Sequence, residues 1–152
     1  MKILVMSDSH GSNQTLERIM RLHEDADLMI HCGDIETSEY AYPNLKTVRG
    51  NNDLYYDYPE KLILSLAGHR ILVVHGNQCY FYNRVAFFTK MAREADCDIV
   101  CYGHTHVAQL DEEDGITLLN PGSIWHSRDG RAPSYALMYL EGADVRIEFK
   151  FI

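Results

Sequence analysis

Five times along this chain, a short run of strand-forming apolar residues breaks off at a side chain able to hold a metal. "ILVMSDSHG" ends in Asp8 and His10, "LMIHCGD" in Asp34, and "TVRGNND" in Asn51, Asn52 and Asp53. "LVVHGN" ends in His75, and "CYGHTH" in His104 and His106. In open α/β sheets, sites form outside the carboxyl ends of the strands. A chain written this way is constrained to bring those ends to one place. Side chains two apart on an extended segment share a side, so His104 and His106 suit a ligand better than a core.

The opening reads as β-α-β. "KILVMS" is a strand, "SNQTLERIMRLHEDA" a helix with Leu16, Ile19, Met20 and Leu22 near helical spacing, and "DLMIHCGD" a second strand. "LKTVRGNND" reads as a third strand running into a polar turn. "KLILSLAGHRILVVHGN" reads as two strands joined at Ala67–Gly68–His69, and "NRVAFFTKMAREADC" as a helix. The short runs "VAQL", "ITLLN", "SYALMYL" and "VRIEFKF" give the tail an antiparallel character. The expectation is a mixed α/β domain over residues 1–152 with more than one sheet, since that length fits a single core.

A net charge of -8 argues against strong binding to nucleic acid or an anionic membrane, both of which need a basic face. A phosphate substrate stays open, because bound metal ions supply local positive charge. Cys32, Cys97 and Cys101 lie in or beside apolar runs and read as buried thiols. The start "MKILVMSDSH" turns polar after six residues, and no stretch approaches the ~20 apolar residues of a membrane span. A cytoplasmic protein is expected.

The candidate ligands limit the metal. Imidazoles, carboxylates and an amide, with no suitably spaced thiolate, exclude a structural zinc finger. Seven or so ligands exceed the needs of one tetrahedral ion and fit two ions sharing a carboxylate. Imidazole plus carboxylate suits manganese, iron, zinc or nickel better than magnesium or calcium.

The order D-x-H, G-D, G-N-x-D, H, G-H-x-H resembles the calcineurin-like metallophosphoesterases. "NPGSI" (Asn120–Ile124) resembles their small bacterial and archaeal phosphodiesterase branch. The resemblance runs from residue 3 to about 125. It implies a four-layer α-β-β-α sandwich of two mixed sheets flanked by helices. It implies two divalent transition-metal ions, manganese first and nickel, iron or zinc as alternatives. Asp8, His10, Asp34 and His106 would hold one ion, and Asn51, His75 and His104 would complete the other, with Asp34 shared. Hydrolysis of a small phosphate ester by water activated between the ions follows. Family members often carry histidine at the position of Asn52, facing the leaving group. An amide there donates a hydrogen bond but delivers no proton near neutral pH. Asp53 would orient a ligand.

Two other readings compete. One is a non-catalytic metal-binding scaffold or interaction module on the same fold, as in the retromer subunit. The other is a nucleotidyl hydrolase or transferase of the histidine-triad type, which needs a further alternating histidine where position 108 is Ala. Arg49 reads as a surface residue, His126 and Arg128 as candidates for the cleft edge, and His23, His31 and His69 as structural. Phe81, Tyr82, Phe87 and Phe88 read as packing around one helix, with an exposed part able to contact a second copy. No insertion is long enough to form a cap, so the cleft is expected to be open.

Overall fold

Alternation along the strands decides the layers. In the first strand, β1 (Lys2–Met6), Ile3 and Val5 face one core while Leu4 and Met6 face another, and all four are fully buried. A strand buried on both faces reads as a continuous apolar run rather than an alternating one. The structure, a computed structural model, describes residues 1–80 and 82–152. After β1 come α1 (Asn13–Leu22), β2 (Leu28–His31), β3 (Leu45–Thr47), β4 (Lys61–Leu66), β5 (His69–Val74) and α2 (Arg84–Glu94). Then follow β6 (Ile99–Cys101), β7 (Ala108–Glu113), β8 (Ile116–Pro121), β9 (Ser134–Glu141) and β10 (Asp144–Phe151).

Two mixed sheets result, with strand orders β10-β9-β1-β2-β3 and β4-β5-β6-β8-β7. Between them lies one core, in which Ile3, Val5, Ile30, Ala136 and Met138 of the first sheet meet Ile71, Val73, Ile99, Cys101 and Leu119 of the second. Helix α1 covers the outer face of the first sheet, its Leu16 and Ile19 packing with Leu4, Met6 and Leu137. Helix α2 covers the outer face of the second, with Phe88 and Ala92 against Leu72, Val74 and Val100. Phe88 stacks on Tyr102 with ring centroids 4.4 Å apart. The layers are therefore helix, sheet, sheet, helix, as the resemblance implies.

Some expectations change. Leu22, the last residue of α1, is exposed, because it lies off the helix face that Leu16, Ile19 and Met20 bury. The third strand pairs only over Leu45–Thr47, and the backbone of Arg49 already bonds Pro59. Tyr82 is fully exposed, and Phe81 lies outside the described residues. The tail is antiparallel in β7–β8, β9–β10 and β1–β9, but β8 runs parallel to β6. Its carboxyl end, Asn120–Ser123, therefore reaches the same edge as the ends of β5 and β6. No helix among the described residues is long and apolar enough to cross a membrane.

Candidate metal centre

Parallel pairing of β1, β2 and β3 in one sheet, and of β5, β6 and β8 in the other, sets six carboxyl ends along one rim. Short backbone bonds stitch the loops beyond them. Asp8 N–H donates to the Gly33 carbonyl at 3.0 Å, His10 N–H to that of Asp34 at 2.9 Å, and Gly103 N–H to that of His75 at 2.8 Å. The turns are tight. Asp8, His10, Asp34, His104 and His106 have φ of 52°, 44°, 55°, 72° and 60°. That left-handed region is uncommon for non-glycine residues, though least so for Asp, Asn and His, and each such residue costs about 1–3 kcal/mol. Glycines make room beside them: a Cβ at Gly50 would run into the Asp34 carboxylate, and one at Gly103 into Ser7 and Asp8.

All seven expected ligand side chains meet here. His106 Nε2 lies 3.1 Å from His10 Nε2 and 3.4 Å from Asp8 Oδ1. Asp34 Oδ2 lies 3.7 Å from His10 Nε2 and 3.3 Å from His75 Nε2. Asn51 Oδ1 sits 3.0 Å from His75 Nε2 and 3.1 Å from His104 Nδ1, and those two nitrogens are 3.3 Å apart. Asp8, His10 and His106 form one compact group, and Asp8, Asp34 and His75 a second.

The donor set has the chemistry of a cation site. His75 Nδ1 lies 2.7 Å from the Cys32 carbonyl, and His106 Nδ1 lies 2.8 Å from that of His126. His10 Nδ1 lies 3.2 Å from Glu36 Oε2. Each of these partners is an acceptor, so the proton belongs on Nδ1 and the Nε2 lone pair points inward. Lone pairs thus face lone pairs and carboxylate oxygens. Asp8 Oδ1 is buried with no hydrogen-bond partner among the described residues. A buried acceptor left unmatched is costly, and a cation answers the whole set at once.

Electrostatics agree. Burial pushes Asp8 up, but His106, His75 and the Ser7 hydroxyl outweigh it and hold the carboxyl below its ordinary value. Burial also opposes ionisation of Asp34, yet His75 and Asn52 hold it well below the usual carboxylate range. His75 is raised despite burial, because Asp34 and Asp8 favour its charged form. In that state a proton balances two carboxylates, and a metal ion would displace it. His104 is lowered by burial and by neighbouring His75, which favours its neutral form.

Asn52 and Asp53 serve the carboxylates. Asn52 donates to Asp34 twice, from its backbone N–H to Oδ1 at 2.8 Å and from Nδ2 to Oδ2 at 2.9 Å. Asp53 is wholly buried and accepts three backbone N–H groups, from Asp34 at 2.8 Å, Glu36 at 2.8 Å and Gly50 at 2.7 Å. Arg49 turns away to Glu60 at 3.1 Å. His31 is buried under the cluster, while His23 and His69 bond Tyr135 and Asp98.

Several supporting residues escaped the reading of the sequence. Ser7 Oγ donates to Asp8 Oδ2 at 2.6 Å, and Ser123 Oγ to the Asp8 carbonyl at 2.7 Å. Asn120 Nδ2 donates to the Gly103 carbonyl at 3.1 Å and to Thr105 Oγ1 at 3.0 Å. The signal for Asn120 and Ser123 was present, since "ITLLNPGS" is a sixth apolar run with a polar end. Reading β8 as part of an antiparallel tail hid it. For Ser7 and Glu36 nothing in the sequence stands out.

Residues 1–143 match the family model of the calcineurin-like phosphoesterase superfamily domain. The chain belongs to that superfamily. It is 37% identical over 152 residues to the probable metallophosphoesterase YsnB of Bacillus subtilis, covering 98% of this chain and 90% of that protein. A crystal structure from Streptococcus pneumoniae, described as a predicted phosphoesterase, superposes with a TM-score of 0.88 at 30% identity, covering 99% of this chain and 88% of the other. An archaeal phosphodiesterase shares the fold with a TM-score of 0.76 at 21% identity, covering 99% and 100%. The family drawn from five short motifs is the family that matches.

Proposed function

We propose that the chain is a dinuclear metal-dependent phosphodiesterase that hydrolyses a small phosphate ester. The observation that supports this reading most is the convergence of inward-facing imidazole nitrogens on two ionised carboxylates, with Asp8 Oδ1 buried and unmatched among the described residues. Asp8, His10, Asp34 and His106 would hold one ion, and Asp34, Asn51, His75 and His104 the other. Asp34 is assigned as shared because its Oδ2 lies 3.7 Å from His10 Nε2 and 3.3 Å from His75 Nε2, nearer to both than Asp8 Oδ1 at 3.8 and 3.9 Å. Two such ions, when bound, lower the pKa of water and polarise phosphoryl oxygens. Manganese is the ion assigned, with nickel, iron and zinc sharing the same ligand preference.

The chain's own residues hold this arrangement still. Asp53 fixes the backbone on both sides of Asp34, Ser7 and Ser123 fix Asp8, and Asn120 fixes the loop that carries His104 and His106. Asn52 offers N–H groups, so expulsion of the leaving group rests on the leaving group's own acidity. Buried thiols at Cys32, Cys97 and Cys101 fit a reducing, cytoplasmic setting. The scaffold reading is the weaker one, since all seven ligand positions keep ligand-capable side chains.

Elemental analysis of gently purified protein, followed by assay on bis(p-nitrophenyl) phosphate, tests the reading. About two equivalents of transition metal, or restoration by manganese, is expected together with nitrophenol release. A protein that takes up no divalent ion and gains no thermal stability from manganese, nickel or zinc would sink it.

A further inference from the structure

The single tryptophan of the chain stands beside the cluster. The Trp125 ring centroid lies 5.0 Å from that of His10 and 6.1 Å from that of His106, yet 51% of the residue is exposed. The ring is held on a pinned backbone. Trp125 N–H and His126 N–H both donate to Ser123 Oγ, at 3.0 and 2.9 Å, and that hydroxyl donates to the Asp8 carbonyl at 2.7 Å. Three hydrogen bonds therefore fix the backbone that carries this half-exposed indole relative to the Asp8 carbonyl.

Arg128 completes the same segment. Its backbone N–H donates to the His106 carbonyl at 3.2 Å, and its Nη1 donates to the His104 carbonyl at 3.3 Å. The side chain is exposed, and no carboxylate among the described residues lies within 4.0 Å of it. One N–H is used on His104, and the rest of the fork is free to meet a phosphoryl oxygen.

We infer that Trp125 and Arg128 form a substrate-binding wall for phosphate esters that carry a flat aromatic arm, an aryl group or a nucleobase. The arm lies against Trp125 and the phosphoryl group reaches Arg128. A pinned, half-exposed indole is suited to this because every such ring offers a π-face, and one stacked ring changes affinity by roughly ten-fold. The inference rests on the phosphodiesterase reading and narrows its substrate class.

The test uses the manganese-loaded full chain and two probes, phenylphosphonate and methylphosphonate, which share an anionic head and differ in the ring. Affinities come from calorimetry and from competition with bis(p-nitrophenyl) phosphate. The parent should bind the phenyl probe more tightly and show quenching of its lone tryptophan. Trp125→Ala should weaken the phenyl probe roughly ten-fold and leave the methyl probe unchanged, and Trp125→Phe should recover most of the loss. Arg128→Ala should weaken both probes by a similar factor, with partial recovery in Arg128→Lys. A phenyl preference that survives Trp125→Ala, or an Arg128→Ala protein that binds both probes as the parent does, would overturn the wall. If the parent binds neither phosphonate yet hydrolyses bis(p-nitrophenyl) phosphate, the wall falls alone; if it does neither, the phosphodiesterase reading falls and takes this inference with it.

Discussion

Replacing Asp53 by Asn removes one charge and swaps one acceptor for a donor at a fully buried place. Asp53 is 0% exposed, and its Oδ2 accepts from Asp34 N–H and Gly50 N–H while Oδ1 accepts from Glu36 N–H. An amide can satisfy one oxygen position only. If its oxygen keeps Asp34 and Gly50, its NH2 faces the Glu36 N–H, donor against donor. Hydrogen bonds to a charged group contribute about 1.5–3 kcal/mol each and neutral ones about 0.5–1.5. Two bonds weakened by about 1 kcal/mol each and one lost outright, less the relief of not burying a charge, give a loss of about 3 kcal/mol. For a chain of this size that is a fall in Tm of roughly 10 °C. It leaves most proteins folded at room temperature, since typical stabilities are about 5–15 kcal/mol. The same loss frees the backbone on either side of Asp34, so metal affinity should fall as well. Urea unfolding of the metal-free protein and titration with manganese measure the two effects separately. An Asp53→Asn variant within about 0.5 kcal/mol of the parent in the metal-free state would refute the reasoning, because surface changes have effects of that size.

Asp34→Asn should weaken both ions, whereas His104→Ala should leave about one ion bound; equal metal content in both variants would show that Asp34 is not shared. Asn52→His should speed alkyl esters more than aryl esters, by at most ~10²–10⁴-fold, the range general acid catalysis supplies. A rate ratio that stays flat as leaving-group pKa rises would place position 52 elsewhere. His31 accepts from Gly33 N–H on Nδ1 and meets Ser9 Oγ with Nε2 at 2.9 Å, and burial drives its pKa down to about 4. The unfolded chain therefore binds the extra proton between about pH 6.5 and 4, and His31 contributes a loss of about 3 kcal/mol as pH falls through that window. In a His31→Gln variant this part of the pH slope should vanish from metal-free unfolding curves, and an unchanged slope would count against a neutral His31.

The ends of β1, β2, β3, β5 and β6 were legible because a parallel strand must stop where its neighbours stop, and the residues that follow are short polar turns. The end of β8 was missed for a physical reason. Its partner in sequence, β7, pairs with it as a hairpin, yet β7 is the sheet's outer strand and β8 slips in beside β6. Local turn signals report the hairpin and say nothing about which of its two strands goes inside. The sequence points to Asp53 as a residue that orients a ligand, but its three backbone bonds were not legible, since they tie positions 34, 36 and 50 together through tertiary approach. Ser123 and Trp125 meet neighbours far away in sequence, and the Ser7 hydroxyl bonds Asp8 beside it. A serine or a tryptophan after a strand looks the same whether it supports a site or merely ends an element.

The position of β1 between β2 and β9 has a consequence for how the protein is made. One edge of β1 is filled early by Leu28–His31, but the other waits for Ala136–Tyr139, and the Met1 ammonium waits for the Leu140 carbonyl at 3.0 Å. At ~5–20 residues per second, the ribosome leaves that edge open for on the order of ten seconds. During that time an apolar strand with unpaired N–H and C=O groups is a template for pairing with another chain. Asp8 and His10 gain the backbone of Gly33 and Asp34 early, but the contact of His10 with His106 and the bond from Ser123 to Asp8 close only across 96 and 115 residues.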